Sequence, residues 1–251
     1  MKIDYLCKAD SDGVISSIDV DYIVKLMREG GLCILPSDSS YILTGNLMGK
    51  DVMKDIKFLL ARDDNQEFSL AFNNYNQVIR DFDLTIMAEG FIKELTPGGL
   101  TFVAEANDEF MGQQSAQKLY TDGTIGIRLT DSKVETQLAC QFPIPTAPIR
   151  DSKTDEATSN LEDAIKIVDK QYIQLMKYRK FAAVNGMVAH CGEVSTVVKE
   201  EYVENEGYYI IILREGIIPR EKIEKVAQKY NYVGVKDPQK GYVHKFEEIC
   251  E

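Results

Sequence analysis

Long apolar runs, closely spaced cysteines and clustered histidines are what this 251-residue sequence lacks. No stretch approaches the run of about eighteen apolar residues that crosses a bilayer, and the opening Met1-Lys2-Ile3-Asp4-Tyr5 is too polar for a secretory signal. A cytoplasmic chain without membrane association is the expectation. Its five cysteines, Cys7, Cys33, Cys140, Cys191 and Cys250, are odd in number and scattered singly, so they read as reduced thiols. The two histidines, His190 and His244, have no sequence neighbour at metal-ligand spacing, and no metal site is expected. Only 7 prolines, with 44% hydrophobic and 27% charged residues, exclude a disordered or collagen-like chain. A net charge of −11 excludes a broad basic face for a nucleic-acid backbone and leaves local basic pockets as the places where anions can bind.

What is present is an alternation of short apolar runs and amphipathic stretches. Val20, Ile23, Val24 and Met27 form a helical stripe over Asp19 to Glu29, and Gly30-Gly31 end it. Leu32-Cys33-Ile34-Leu35, halted by Pro36, fits a strand buried on both faces. Further helices are predicted over Asp51 to Leu60, Lys133 to Cys140, Arg220 to Tyr230, and Leu161 to Val168 behind a Thr158-Ser159 cap. A polar helix-like stretch separates the strands Leu100 to Ala104 and Thr124 to Leu129. Other strands fall at Phe68 to Phe72, Phe181 to Val184, Ser195 to Val198 and Tyr208 to Leu213. Interleaving of this kind predicts an α/β fold, a twisted mixed sheet layered with helices. No repeat or Pro/Gly/Ser linker marks a boundary, and the polar residues from Tyr232 to Glu251 read as an appended hairpin or a docked tail.

Familiar site motifs fail in turn. Gly45-Asn46-Leu47-Met48-Gly49-Lys50-Asp51 is one residue short of a P-loop and carries Asp51 where a magnesium-binding hydroxyl belongs. No Gly-x-Gly-x-x-Gly opens a helix, and no Gly-x-Ser-x-Gly elbow presents a nucleophile.

A second set of segments holds together. Pro36-Ser37-Asp38-Ser39-Ser40-Tyr41 follows the first buried strand, where hydroxyls can leave the strand end and face a ligand, although composition alone favours a polar turn. Thr96-Pro97-Gly98-Gly99-Leu100-Thr101, Gly123-Thr124-Ile125-Gly126-Ile127-Arg128, Gly192 to Val198, and Ile212-Leu213-Arg214-Glu215-Gly216 come after it. In this order the segments resemble the YrdC/YciO family, whose best-known members are L-threonylcarbamoyladenylate synthases. Five of that family's seven elements are recognisable: Pro-Thr-Asp-Thr-x-Tyr-Gly, Pro-Gly-x-Leu-Thr, Thr-x-Gly-x-Arg, Ser-Thr-x-x and Leu-Arg-x-Gly. The resemblance covers roughly Asp19 to Val226. It implies one YrdC-like domain over residues 1–231 with a concave charged cleft, and a C-terminal extension, 232–251, docked on it.

The activity so implied joins L-threonine, bicarbonate and ATP, with Mg2+, into threonylcarbamoyl-AMP and pyrophosphate for tRNA A37 modification. Such chemistry asks for positioning and for cations and hydroxyls around the phosphates. By resemblance, Ser39, Tyr41, Arg128 and Ser195 hold the amino acid, with Arg128 pairing its carboxylate, while Arg62, Thr124 and Arg214 face the nucleotide. Arg62 and Lys57 are the catalytic cations. Departures from the family pattern are equally specific. Leu60 stands where the lysine of Lys-x-Arg belongs, and Lys57, three residues earlier on the same helix face, is the compensating candidate. Ile149-Arg150-Asp151 replaces Ser-x-Asn, which predicts repulsion between Asp151 and a triphosphate. Ile42, Asn73 and Glu215 replace a glycine, a histidine and a proline. The alternative is a non-catalytic paralogue that binds double-stranded RNA or another nucleotide in the same cleft, which requires Arg62, Arg128, Arg150 and Arg214 to gather there.

Overall fold

A computed structural model describes residues 1–64, 66–112, 123–151, 153–175, 178–190 and 192–246. The interleaved α/β pattern is present, and its strands divide between two mixed sheets. The smaller sheet contains β1 (Tyr5–Lys8), β9 (Phe181–Asn185), β2 (Leu32–Pro36), β3 (Tyr41–Gly45) and β8 (Ala147–Pro148), in that order. The larger runs β13 (Tyr242–Lys245), β12 (Gly234–Asp237), β11 (Gly207–Arg214), β10 (Thr196–Val203), β5 (Leu100–Glu105), β6 (Thr124–Arg128), β4 (Leu70–Ala71) and β7 (Ile144–Pro145).

β2 shows why an uninterrupted apolar run was needed. Leu32 and Ile34 enter the main core, whereas Cys33 and Leu35 enter a second core on the opposite face. Helices α1 (Ser17–Arg28) and α6 (Lys133–Leu138) cover the second core with Ile23, Val24, Met27, Val134 and Leu138. On the other side α2 (Val52–Leu59) and α7 (Leu161–Tyr172) contribute Val52, Ile56, Leu59, Ala164 and Val168 to the main core. Over the large sheet, α4 (Ile86–Leu95) and α8 (Arg220–Lys229) bury Phe91, Ile92, Ile223 and Val226.

Several local features differ from the sequence reading. β3, antiparallel to β2, occupies a stretch read as a turn running into a failed P-loop. Helices α3 (Tyr75–Asp81) and α4 were not anticipated; Asn74 and Thr85 cap them, with side chains accepting from Gln77 N and Ala88 N. The cap of α7 is Asn160, whose Oδ1 accepts from Asp163 N at 3.0 Å, in place of Thr158-Ser159. The polar stretch after β5 begins as the short α5 (Asp108–Met111), and its continuation over 113–122 lies outside the described residues. From Tyr232 the chain extends the large sheet: β12 pairs parallel to β11, and β13 returns antiparallel to it. Residues 247–251 lie outside the described residues, as do Cys191 and Cys250, while Cys7, Cys33 and Cys140 are free thiols. Among the described residues, no helix is long and apolar enough to cross a membrane.

Candidate functional site

Strand direction assembles the site. β11 runs antiparallel to β10, β10 parallel to β5, and β5 antiparallel to β6. The C-terminal ends of β11 and β6 therefore lie beside the N-terminal ends of β10 and β5. Arg214, Ser195, Thr101 and Arg128 share one end of the sheet for that reason. Thr124 begins β6 on the same face as Arg128, but four residues of strand, about 13 Å, separate them.

The motif loops interlock at this end. Ser195 Oγ lies 2.8 Å from Thr101 Oγ1 and accepts from Arg214 Nη2 at 3.0 Å, and Arg214 also donates to the Ser195 carbonyl at 2.9 Å. Thr196 Oγ1 accepts from the backbone of Gly216 and Ile218, each at 3.0 Å, and donates to Ile218 O at 2.8 Å. Gly216 must lack a side chain, because a Cβ there would stand 2.3 Å from the Val194 carbonyl oxygen. Gly98 N donates to Leu129 O, and Thr196 N to Gly99 O, both at 2.9 Å, which ties the Thr96–Thr101 loop between β6 and β10.

Beside β6 lies a buried group of three charges. Arg128 forms an ion pair with Asp38, and their side chains are only 8% and 6% exposed. Glu135, on α6, is fully buried; it accepts from Ser37 Oγ and, at 3.0 Å, from Thr130 Oγ1. Burial, with Asp38 adding to it, pushes the Glu135 carboxyl up to about 7 against the opposing pull of Arg128. Glu135 Oε1 and Arg128 Nε are buried without a hydrogen-bond partner among the described residues. Composition gave no signal for Glu135, since its neighbours come from two other parts of the chain.

The remaining candidates are placed as follows. Ser39 sits in the β2–β3 turn, with its carbonyl accepting from Gly192 N at 3.1 Å; the Asp38 carbonyl accepts from His190 N at 2.7 Å. Tyr41 is buried, and its hydroxyl both donates to Gly186 O at 2.8 Å and accepts from Gly186 N at 3.0 Å, so it anchors the turn from below. Lys57 donates its ammonium to the Asp64 carbonyl, which commits it to the loop after α2. Arg62 donates to Pro148 O at 3.5 Å and shares a hollow of about 170 Å³ with Arg150, a residue outside the predicted set. The Asp151 carboxylate accepts from Lys153 N at 2.8 Å and Thr154 N at 3.2 Å within its own turn, which holds it below the usual carboxylate range and charged.

Burial, and then the nearby charges of Arg128 and Arg150, hold the Arg214 guanidinium below its ordinary value. Arg128 and Arg150 thus both act on Arg214, while Arg62 shares its hollow with Arg150 alone of these three. Among the described residues, no group of three or more His, Cys, Asp or Glu side chains is arranged to hold a metal ion.

Comparison with known proteins identifies the family and the fold. The profile of the Sua5/YciO/YrdC family, described as telomere recombination, matches residues 25–216. An uncharacterized protein of Haemophilus influenzae is 26% identical over 198 residues, which cover 78% of this chain and 88% of the relative. The crystal structure of Escherichia coli YciO aligns with a TM-score of 0.66 at 20% identity, over 87% of this chain and 98% of YciO. Pyrococcus abyssi Sua5 complexed with L-threonine aligns with a TM-score of 0.67 at 19% identity over 88% of this chain. The chain spans 60% of the length of that Sua5, and at these identities the structural likeness is one of fold. With the profile running across most of the sequence, the chain belongs to the Sua5/YciO/YrdC family.

Proposed function

We propose that the chain is a threonylcarbamoyl-AMP synthase-like nucleotidyltransferase that binds L-threonine, bicarbonate and ATP at the strand ends carrying Arg128, Arg150 and Arg214. Family membership links the chain to tRNA modification at the level of the family. One observation carries the finer reading. In a chain of net charge −11, the Arg214 guanidinium is held below its ordinary value by burial and then by the charges of Arg128 and Arg150, which come from separate segments. Like charges held together cost stability, and a bound polyanion removes that cost.

In this reading the threonine nitrogen takes up bicarbonate with loss of water, and the resulting carbamate oxygen attacks the α-phosphorus of ATP, expelling pyrophosphate. The protein's part is to hold the two reactants in line and to meet charge on the phosphate oxygens with fixed donors. Asp38 orients Arg128, while Ser195 and Thr101 orient Arg214, so both guanidinium groups are in place before a ligand arrives. Magnesium enters with the triphosphate. The L-threonine complex of Pyrococcus abyssi Sua5 supports assigning the amino acid to this cleft.

Nucleic-acid binding is less well supported. On β10, β12 and β13 of the large sheet, Lys199 and Lys236 pair with Glu201, and Lys245 pairs with Glu206, so these lysines are neutralised. The test is pyrophosphate release from ATP that depends on both L-threonine and bicarbonate. Arg128→Ala should raise the KM for threonine and Arg214→Ala that for ATP. A folded, magnesium-supplied sample that shows no threonine dependence rejects the proposal.

A further inference from the structure

In the buried group beside β6, one hydroxyl serves two carboxylates. Ser37 Oγ lies 3.1 Å from Asp38 Oδ1 and is also in hydrogen-bond contact with Glu135 Oε2. A serine hydroxyl has one proton, so it can donate to one carboxylate only. All three residues are buried, Glu135 completely. Were both acids ionised, one of these oxygen–oxygen contacts would lack a proton, and Glu135 would be a buried charge whose hydrogen-bond donors are the hydroxyls of Ser37 and Thr130. One further proton completes the chain. A carboxylic acid at Glu135 Oε2 donates to Ser37 Oγ, Ser37 donates to Asp38 Oδ1, and Asp38 Oδ2 accepts from Arg128. Thr130 Oγ1 still donates to Glu135 Oε2 at 3.0 Å.

Protonation therefore changes what Arg128 meets. With that proton in place, Arg128, Asp38 and Glu135 sum to zero charge. Without it they carry one negative charge, and Ser37 turns its hydrogen toward Glu135, which leaves its lone pairs against Asp38 Oδ1. Arg128 Nε is buried with no hydrogen-bond partner among the described residues, so an N–H remains for an incoming carboxylate. We infer that Glu135 is a positioning residue that holds Arg128 through Ser37 and Asp38, and that loss of its proton weakens the binding of a carboxylate at Arg128. This inference rests on the proposed function and deepens it, by making amino-acid binding depend on pH. Burial pushes the Glu135 carboxyl up to about 7, so the change falls near neutrality. Other charges around α6 are engaged elsewhere. From α1, Asp19 binds Tyr5 and Ser16, Asp21 and Arg28 act on Cys140, and Lys25 is exposed. On β2, Cys33 is a buried thiol pushed well up by burial. Asp12, Asp131 and Lys133 are exposed, and the His190 ring lies 3.7 Å from Asp131 and 3.6 Å from Glu193.

L-Threonine titrated calorimetrically into the full chain at about pH 5.5 and about pH 8 tests this. Wild-type affinity should fall about fivefold or more at the higher pH. Glu135→Gln keeps a neutral donor toward Ser37, and should bind at both pH values as the wild type does at the lower one. The variant retains every other titrating group, so the ligand's own titration is common to both proteins. By linkage, threonine binding near neutrality should draw protons into the wild type and not into the variant, which calorimetry in buffers of different ionisation enthalpy reads. Ser37→Ala breaks the link but leaves the carboxyl, and should lose most of the pH response, whereas Ser37→Thr should keep it. The same pH response in wild type and Glu135→Gln would overturn the inference, as would a full response in Ser37→Ala. A chain that binds no threonine at either pH overturns the proposed function and the inference with it, so the two failures are distinguishable.

Discussion

The chain has two arginine-centred regions built on opposite principles. In the buried group, the Arg128 guanidinium pairs with Asp38, and nearby Glu135 accepts from the hydroxyls of Ser37 and Thr130. In the open hollow, Arg62 donates to the Pro148 carbonyl, and Arg150 pairs with the exposed Asp155. The first is largely paired within the protein, although Arg128 Nε and Glu135 Oε1 are without a hydrogen-bond partner among the described residues, and desolvated charges tolerate the loss of a partner poorly. The second is more open and carries fewer internal contacts among the described residues.

The sharpest break in this comparison is Asp38→Ala, which leaves Arg128 buried without its partner. A loss of about 3–5 kcal/mol in denaturant unfolding is expected. A loss near that of an exposed pair, under about 1 kcal/mol, would mean that the group is not the scaffold element described here.

Glu135→Gln comes next and acts through pH. The unfolded chain releases the Glu135 proton near 4.5, whereas the folded chain keeps it up to about 7. Between those values the folded state binds more protons, so Glu135 makes stability fall as pH rises through this window and level off above it. The full change is about 3 kcal/mol, and in Glu135→Gln its contribution to the slope between pH 5 and 8 should vanish. An unchanged slope in urea midpoints would remove Glu135 from the buried group's titration.

Ionic strength separates the regions more gently. Raising salt from about 50 to 500 mM shortens the screening length and should weaken ATP binding severalfold while leaving the protonation behaviour of Glu135 nearly unchanged. Equal salt sensitivity would erase the distinction. Smallest is Asn160→Ala, which removes the α7 cap behind the hollow and should cost about 1 kcal/mol in stability. Urea unfolding measures it, and an unchanged midpoint would remove Asn160 as the cap.

How far such features can be read in advance depends on whether their cause is local. β2 was legible because burial on both faces demands an unbroken apolar run, and α1 because its stripe and following glycines are local signals. β3 was hidden because Ser37 to Ser40 reads as a turn and Gly45 to Asp51 as a loop, leaving the strand between them without punctuation of its own. Asn160, not Thr158-Ser159, caps α7, a choice among adjacent capping residues that backbone geometry makes. Arg62, Arg128 and Arg214 could be singled out from motif segments, but Lys57 could not be seen to turn into its own loop. Arg150 enters the sequence reading as part of a departure and as one of four arginines for a shared cleft, and the structure shows it beside Arg62 in the hollow.

The order of apolar and polar residues alone dictated alternating strands and helices, a reduced and acidic chain, and an inventory of cations at strand ends. Which of those cations meet was left to the tertiary structure. Convergence depends on strand direction and register between segments more than fifty residues apart, as in β5 against β10, and no local propensity encodes that pairing. The unusual proton affinity of Glu135 has the same origin, because solvent exclusion and a neighbouring carboxylate exist only once α6 has packed beside the turn after β2.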